Sequence, residues 1–245
     1  MNFHKKTALI TGAAVGIGRA TALELAEYGA DLILLDVNFE KLELLKKELK
    51  AYNGRVFIYS CDISDEACVN RVVKDALSHF GKIDILVNNA AIWRSHTMFV
   101  DLSVDEWKRY FDVNVMGTVY VTKAVLPCML EQNYGRIINV ASVAGVYGIK
   151  SMTHYSATKG AVISFTKALA KEVCDKGVLV NAVSPGSVSP SDNEDVNSHV
   201  PSPLSHMGRS GTDRENAELI CFLASDRATY INGQNIQIDG GRKSI

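Results

Sequence analysis

The chain contains 245 residues, with a hydrophobic fraction of 47%, a charged fraction of 22% and a net charge of -1. These values are typical of a globular protein that buries a large core without disulfides, in one large domain or two small ones. The small net charge gives no global field for nucleic acid or an anionic membrane, so neither is an expected partner. Five cysteines without a CxxC pair, and an N-terminus without a signal-peptide core, favour a reduced cytoplasmic protein.

The N-terminal stretch predicts a strand, a glycine turn and a helix. Thr7–Thr11 is a short apolar run, and Arg19–Tyr28 has helical character. Between them, Gly12, Gly16 and Gly18 follow a GxxxGxG spacing. Glycines let the backbone approach a pyrophosphate closely, and a helix N-terminus supplies free N–H groups and a positive dipole end. The pattern indicates a phosphate cradle, although the same glycines would also suit a plain structural turn.

Asp36 follows the second predicted strand, Asp31–Leu35, and lies 18 residues beyond Gly18. Dinucleotide-binding turns are followed, roughly 20 residues on, by an acid that holds the adenosine ribose hydroxyls. A carboxylate there repels the 2′-phosphate of NADP, and neither Val15 nor Val37 supplies a basic side chain to bind it. The sequence therefore predicts NAD rather than NADP. A solvated acid at a strand end is the alternative interpretation.

Strands and helices alternate along the chain, which indicates βαβ units and a parallel sheet. Further strands are predicted at Arg55–Ser60, Ile83–Val87, Arg136–Ala141, Val178–Val183 and Asn235–Asp239. Further helices are predicted at Glu40–Lys50, Ser64–Phe80, Met152–Lys176 and Asp213–Ala224, and from a capping box at Ser103 through Pro127 and beyond. The segment Ser187–Gly211, rich in serine and proline, predicts a lid loop, with a disordered surface excursion as the alternative.

Ser142, Tyr155 and Lys159 form a candidate catalytic group. Ser142 directly follows the fifth strand, at the carboxyl edge where open α/β sheets bind ligands. Tyr155 and Lys159 are four residues apart, so a helix places them on one face. A phenol ionises near pH ~10 and a neighbouring ammonium lowers that pKa, which suits general acid–base chemistry. Asn114 lies among apolar residues and needs buried partners, either structural or within a polar network.

Read in order, these motifs resemble the compact form of the short-chain dehydrogenase/reductase family over essentially all of Lys6–Gly241. The matching pieces are TGAAVGIG at Thr11–Gly18, Asp36, CDI at Cys61–Ile63, NNAA at Asn88–Ala91, NVMG at Asn114–Gly117, Ser142, YSATK at Tyr155–Lys159, SPG at Ser184–Gly186 and the closing IDGG. The resemblance implies one NAD(P)-binding domain, residues 1–245, with a Rossmann-type doubly wound sheet of seven parallel strands and helices on both faces. It also implies an NAD(P)-dependent redox reaction on an alcohol or carbonyl group.

The resemblance further assigns catalytic roles. Tyr155 would be the general acid/base, and Ser142 would hydrogen-bond the substrate oxygen. Lys159 would hold the nicotinamide ribose and lower the pKa of Tyr155, while Asn114 would support a water that links Lys159 to solvent. No metal is implied, and no cluster of His, Asp and Cys in the sequence argues for one.

The remaining implied contacts are to the cofactor. The pyrophosphate would lie on Gly12, Gly16, Ile17 and Gly18, and the adenosine ribose on Asp36. Asp62 and Ile63 would flank the adenine, and Asn89 and Ala90 would line the nucleotide floor. Pro185, Gly186 and Val188 would meet the nicotinamide carboxamide. Tyr155 and Lys159 are counted among the cofactor-binding residues as well.

Two positions depart from the family pattern. Ala91 stands where the family usually has glycine, and its methyl group could crowd the cofactor. Pro190 stands where the family usually has threonine, so Ser189 or Ser191 would have to supply the hydroxyl that reaches the carboxamide.

Three functions are compatible with these residues. The first is an NAD-dependent alcohol dehydrogenase or ketone reductase acting on a secondary alcohol or ketone. The second is a 3-oxoacyl-carrier-protein reductase, which would call for NADPH and for basic residues facing the acidic carrier. The third is a dinucleotide-binding sensor or scaffold that lacks catalysis, against which the intact set of Ser142, Tyr155, Lys159 and Asn114 argues.

Substrate choice is expected to come from residues after strand four and before Tyr155. Trp93, Arg94 and His96 form the first group, and Ala144–His154 the second. Their mostly apolar character suggests a partly apolar substrate, although many of these residues could simply pack the lid. His154 is not expected to be catalytic, because the neighbouring helical position points away from Tyr155. The family resemblance also implies a homotetramer.

Overall fold

The computed structural model describes residues 1–188 and 195–243, and within them seven parallel strands form one sheet in the order β3-β2-β1-β4-β5-β6-β7. The strands are β1 (Thr7–Thr11), β2 (Asp31–Asp36), β3 (Val56–Ser60), β4 (Ile85–Asn88), β5 (Gly135–Val140), β6 (Val178–Pro185) and β7 (Asn235–Ile238). The parallel pairing and the strand order confirm the predicted doubly wound α/β architecture.

Helices cover both faces of the sheet. They are α1 (Gly16–Glu27), α2 (Phe39–Glu48), α3 (Glu66–Phe80), α4 (Val104–Phe111), α5 (Gly117–Glu131), α6 (Ala144–Tyr147), α7 (Thr153–Val173) and α8 (Asp213–Ala224). Side chains alternate along each strand, so Ile10 packs with α1, α2 and α8 while Leu9 packs with α3, α5 and α7. The core is therefore split into two apolar layers by the sheet.

The long helix predicted from Ser103 is divided into α4, a π-helical turn at Asp112–Met116, and α5, which contains Pro127. Single π turns inside α-helices occur frequently at functional sites, and this one carries Asn114. By length and composition alone the run Val104–Glu131 could cross a membrane. A core helix of a globular protein passes the same test, and α5 buries Val121, Val125 and Met129 against the sheet.

Most other boundaries fall within three residues of the predicted ones. Helix α1 begins at Gly16 rather than Arg19, because the glycine turn itself supplies the first helical residues. Strand β4 begins at Ile85, since Asp84 instead accepts a hydrogen bond from the Thr7 N–H at 2.8 Å. The sequence did not predict α6, a single turn between Ser142 and Tyr155.

The described part of the predicted lid, residues 195–211, is tied to the end of the chain. The Ser205 hydroxyl donates to the Gly240 carbonyl at 2.9 Å, and the Met207 N–H donates to the same carbonyl at 3.2 Å. Val188 pairs with Gly211, which closes the base of the loop. These bonds hold the second half of the loop against β7, above the carboxyl edge of the sheet.

The strand order reverses between β1 and β4. The chain runs outward from β1 to β3 and then starts the second half of the sheet at β4. Ligands of open α/β sheets bind in the crevice that such a reversal leaves at the carboxyl ends of the strands. The predicted site residues follow the ends of β1 to β6, so the fold brings them to this one edge.

Candidate active site

The glycine turn after β1 is held tightly against the end of β4. Gly12 adopts a φ of 62°, and a Cβ atom at Gly18 would lie 2.1 Å from the Gly12 carbonyl oxygen. The Asn89 side-chain amide donates to that same oxygen at 2.9 Å and to the Thr11 carbonyl at 3.1 Å. Only glycine fits both positions, which leaves an open backbone cradle at the N-terminus of α1. Ile17 lies within this first helical turn.

Asp36 lies at the end of β2 beside this cradle. Its carboxylate accepts hydrogen bonds from the Ala14 N–H at 3.0 Å and the Asn38 N–H at 2.9 Å. The next side chain, Val37, is 69% exposed and carries no charge. The carboxylate is thus fixed by the backbone of the glycine turn, at the place where the sequence predicts the adenosine ribose.

The residues predicted to flank the adenine follow β3. Asp62 accepts hydrogen bonds from the Ser64 N–H at 2.9 Å and the Ser64 hydroxyl at 2.7 Å, which keeps its side chain at the exposed edge. Ile63 is buried and packs against Gly117, where an added Cβ would lie 2.6 Å from the isoleucine side chain. The Ala90 N–H donates to the Thr11 hydroxyl at 3.1 Å, so Ala90 forms the floor between β1 and β4.

The predicted carboxamide contacts lie on the other half of the crevice. Pro185 ends β6, and the Gly186 N–H donates to the Ile238 carbonyl at 3.0 Å. A Cβ atom at Gly186 would lie 2.7 Å from the Asp239 side chain, so the close approach to β7 requires glycine. Val188 follows at the base of the lid. Pro190 and its neighbours Ser189 and Ser191 lie outside the described residues.

Ser142 and Tyr155 meet above the end of β5. Ser142 is 9% exposed, and its hydroxyl accepts a hydrogen bond from the Ala144 N–H at 3.1 Å, which starts the α6 turn. Tyr155, in the first turn of α7, is hydrogen-bonded to Ser142. Burial raises the pKa of Tyr155 to about 12, and the Ser142 hydrogen bond offsets this only in part.

Lys159 lies one turn further along α7, with its ammonium 5.8 Å from the centre of the Tyr155 ring. The ammonium donates to the Val140 carbonyl at 2.7 Å, and burial lowers the pKa of Lys159 to about 8. The lowering of the Tyr155 pKa by Lys159 stays a prediction, because burial sets the net shift of the phenol. Removal of the phenol from water outweighs the effect of a cation that is itself desolvated and directed at a backbone carbonyl.

Asn114 is 1% exposed and joins three elements of the site. Its side-chain oxygen accepts from the Ile92 N–H at 2.8 Å, and its amide donates to the Ile92 carbonyl at 3.0 Å and to the Thr158 hydroxyl at 3.2 Å. Thr158 in turn donates to the Tyr155 carbonyl at 2.8 Å. Asn114 therefore braces the loop after β4 against α7, and its water link to Lys159 stays a prediction.

A cleft of about 660 Å³ opens between the loop after β4 and α4. Its walls include Trp93 and Arg94, which were predicted to affect substrate choice, and Ala91, whose methyl group faces this space. Tyr110 forms part of the same wall and was not predicted. It lies one helical turn before Asn114, so the i, i+4 spacing is the sequence signal that could have found it.

The predicted residues thus form one arrangement at the carboxyl edge of the sheet. Backbone donors and Asp36 fit the pyrophosphate and ribose of a dinucleotide, since a glycine cradle with no room for a Cβ adjoins a carboxylate acceptor. Ser142, Tyr155 and Lys159 lie at the far end of the crevice and can move a proton at a substrate oxygen. No cluster of three metal-ligating side chains occurs among residues 1–188 and 195–243.

Comparison with known proteins agrees with this arrangement. A family model described as short chain dehydrogenase matches residues 6–200. A 3-oxoacyl-acyl-carrier-protein reductase FabG of Thermotoga maritima is 41% identical over 249 residues, covering 98% of this chain and 99% of the relative. A 2-dehydro-3-deoxy-L-rhamnonate dehydrogenase (NAD(+)) of a Sphingomonas species is 36% identical over 98% of this chain and 96% of the relative.

Among solved structures, an NAD+-bound xylitol dehydrogenase superposes with a TM-score of 0.91 at 35% identity, covering 98% of this chain and all of the other. Sequence and structural similarity therefore extend over the whole sheet, including β7, which lies beyond the segment that the family model matches. The chain belongs to the short-chain dehydrogenase family.

Proposed function

We propose that the protein interconverts a secondary alcohol and a ketone by hydride transfer with NAD(H). The main support for this reaction is that Ser142, Tyr155 and Lys159 lie together in the same crevice as the glycine cradle. The cofactor supplies the hydride acceptor or donor. The protein supplies the proton, the orientation and the exclusion of water.

In the reduction direction, Tyr155 donates its phenolic proton to the ketone oxygen as hydride reaches the carbonyl carbon. The Ser142 hydroxyl donates a hydrogen bond to the same oxygen and fixes its distance from the phenol. Lys159 places its ammonium beside the Tyr155 ring and stabilises the phenolate that forms. In the oxidation direction the phenolate takes the alcohol proton back. General acid–base catalysis of this kind contributes ~10²–10⁴-fold.

NAD is the proposed cofactor because of Asp36. Its carboxylate is held by the Ala14 and Asn38 N–H groups at the ribose position, where a 2′-phosphate would meet a negative charge. Val15 and Val37 offer no compensating cation. Two of the similar proteins carry NAD in their names, which supports the same cofactor.

A 3-oxoacyl thioester is the second candidate substrate. Several curated relatives, from Thermotoga, Synechocystis and Staphylococcus, are named as 3-oxoacyl-acyl-carrier-protein reductases, and these names favour that substrate over a simple alcohol. The 3-oxo group is itself a ketone, so the same residues would act on it. Asp36 distinguishes the two candidate functions only by their cofactor, because a 3-oxoacyl-carrier-protein reductase is expected to use NADPH.

The test compares substrates and cofactors on the purified full-length chain. Secondary alcohols, polyols, their ketones and 3-oxoacyl thioesters are offered with NAD(H) and NADP(H), and initial rates are followed at 340 nm. Tyr155→Phe, which removes only the hydroxyl, should lower kcat by about 10²-fold or more and change the Kd for NADH far less. Tyr59→Phe removes a hydroxyl that donates to the Asp75 carboxylate on α3, away from the catalytic group, and is the matched control.

Two outcomes would contradict the proposal. Normal turnover by Tyr155→Phe would exclude the proposed acid/base. Tight NADH binding without turnover of any substrate would favour a dinucleotide-binding sensor instead. We further propose a cytoplasmic homotetramer, and a monomeric mass by light scattering would contradict that assembly.

A further inference from the structure

Tyr110 connects the wall of the substrate cleft to the catalytic residues. It is 4% exposed, and its hydroxyl accepts a hydrogen bond from the Ser95 N–H at 3.0 Å. Ser95 and Trp93 belong to the loop that forms one wall of the cleft, and Tyr110 belongs to the α4 wall opposite. Tyr110 also lies close enough to Tyr155 for a negative charge on one phenol to raise the pKa of the other.

His154 supports Tyr110 from behind. The two rings meet edge to face with centroids 3.9 Å apart, and His154 is fully buried. Neither ring nitrogen of His154 has a hydrogen-bond partner within the described ranges, and its Nε2 lies 3.9 Å from the nearest Glu106 oxygen, too far for a hydrogen bond. Burial lowers the pKa of His154, so the ring packs there in its neutral form.

On the basis of the proposed function, we infer that Tyr110 is a positioning residue that sets the width of the substrate cleft and so selects substrates by the length of their chain. The hydroxyl fixes the loop through Ser95, and the ring is backed by His154, the residue that precedes Tyr155 on α7. A short substrate lies wholly at Ser142 and Tyr155. A substrate with an extended tail must place that tail in the cleft between Trp93 and α4.

The expected size of the effect follows from one hydrogen bond. Removing the Tyr110 hydroxyl leaves the Ser95 N–H unpaired. The loop around Ser95 and Trp93, which the substrate tail contacts, is then no longer held in place. A bond of this kind contributes roughly 0.5–1.5 kcal/mol, which corresponds to about a 2- to 12-fold change in an equilibrium constant. Because the reacting atoms are held by other residues, the change should appear in KM for long substrates and leave kcat nearly intact.

The kinetic test uses Tyr110→Phe and two pairs of substrates that differ only in length. The pairs are 2-butanone with 2-octanone, and the N-acetylcysteamine thioesters of 3-oxobutanoate and 3-oxooctanoate. In the pair that the protein converts, KM for the long substrate should rise roughly 3- to 10-fold in Tyr110→Phe. KM for the short substrate and kcat for both substrates should stay within about 2-fold of the parent values. Equal changes for both members, or no change, would overturn the inference.

A second measurement does not depend on turnover. The chain has two tryptophans, so Trp107→Phe leaves Trp93 as the only indole reporter in the cleft wall. In that background, Tyr110→Phe should increase acrylamide quenching of Trp93 fluorescence, and unchanged quenching would overturn the anchoring by Tyr110. If the parent protein converts no substrate, the proposed function fails while this quenching measurement still decides the structural claim.

Variants of His154 separate packing from proton chemistry. His154→Phe keeps a ring against Tyr110, whereas His154→Ala leaves a cavity behind it. His154→Phe should match the parent in KM for the long substrate and in Trp93 quenching, and His154→Ala should resemble Tyr110→Phe. Equal damage from both substitutions would show that the histidine nitrogens are needed, which contradicts packing as its role.

Discussion

The proposed preference for NAD over NADP depends on one carboxylate, that of Asp36. Asp36→Asn removes the charge but keeps an amide oxygen that can accept from the Ala14 N–H, which now lies 3.0 Å from the carboxylate, so the glycine turn should stay in place. The Asn38 N–H loses its acceptor, the other carboxylate oxygen at 2.9 Å, but it lies at an exposed position where water can replace that oxygen. A change in cofactor preference then reports mainly the charge.

The magnitude follows from Coulomb's law. A carboxylate that hydrogen-bonds a ribose hydroxyl would lie on the order of 4 Å from a phosphate at the same position, and one pair of unit charges at 4 Å costs ~1 kcal/mol in water and ~4 kcal/mol at an effective dielectric constant of 20. Asp36 is only partly buried, so a value between these limits applies to each phosphate charge. A total repulsion on the order of 2–4 kcal/mol between Asp36 and the 2′-phosphate corresponds to a preference for NAD over NADP of roughly 30- to 1,000-fold.

The assay is the ratio of kcat/KM for NAD to that for NADP at saturating substrate. Asp36→Asn should lower this ratio by about 30-fold or more, mainly by improving NADP. Adding Val37→Arg should lower it further, because Val37 is 69% exposed and a guanidinium can replace it without loss of packing.

Asp62→Asn is the matched control. Asp62 lies two residues after the neighbouring strand β3, and one of its carboxylate oxygens accepts both of its hydrogen bonds, which an amide oxygen can retain. This variant should change the ratio by less than about 3-fold. The reasoning is refuted if the parent prefers NADP, or if Asp36→Asn and Asp62→Asn change the ratio equally.

Two further predictions concern the cradle and the catalytic tyrosine. Gly18→Ala places a Cβ 2.1 Å from the Gly12 oxygen and should abolish NADH binding. Gly160→Ala on α7 places a Cβ 3.5 Å from the Gly145 carbonyl oxygen, an ordinary contact, so this variant should bind NADH normally and gain about 0.5–1 kcal/mol in its free energy of unfolding in urea. Normal NADH binding by Gly18→Ala would contradict the tight turn. Because burial raises the pKa of Tyr155 to about 12 and lowers that of Lys159 to about 8, kcat/KM for oxidation should rise from about pH 6 to about pH 7.5 while kcat/KM for reduction stays nearly level, and reduction should slow above about pH 8 as Lys159 loses its charge. A level oxidation profile would show that the phenolate forms more readily than burial alone allows.

The sequence was informative where function depends on strand ends. Parallel strands have a fixed register and bring their carboxyl ends to one edge, so a motif after each strand predicts a shared site. Gly12, Asp36, Asn89 and Ser142 could be placed in this way because each directly follows a predicted strand. The fold followed from the same alternation of apolar strands with amphipathic helices.

The sequence was less informative where a contact joins two segments through side chains. The hydrogen bond between Ser95 and Tyr110 spans 15 residues, and that between Asn114 and Thr158 spans 44. No periodicity encodes such pairs, because each depends on how α4 and α7 pack against the loop after β4. The pKa of Tyr155 depends on packing in the same way: burial, a property of the packed structure, raises it, whereas the spacing shows only that Lys159 lies nearby.

The protonation state that burial imposes also bears on the direction of the reaction. A phenol with a pKa of about 12 is a proton donor throughout the neutral range, so the folded protein already holds the acid that ketone reduction needs. Oxidation needs the phenolate, which must form against the same burial and is helped by the Ser142 hydrogen bond and, while it is protonated, by Lys159. Since the pKa of Lys159 is lowered to about 8, that help declines as the pH rises toward the range where the phenolate would accumulate. We therefore propose reduction as the favoured direction near neutral pH, which is also the direction named for the 3-oxoacyl reductase relatives.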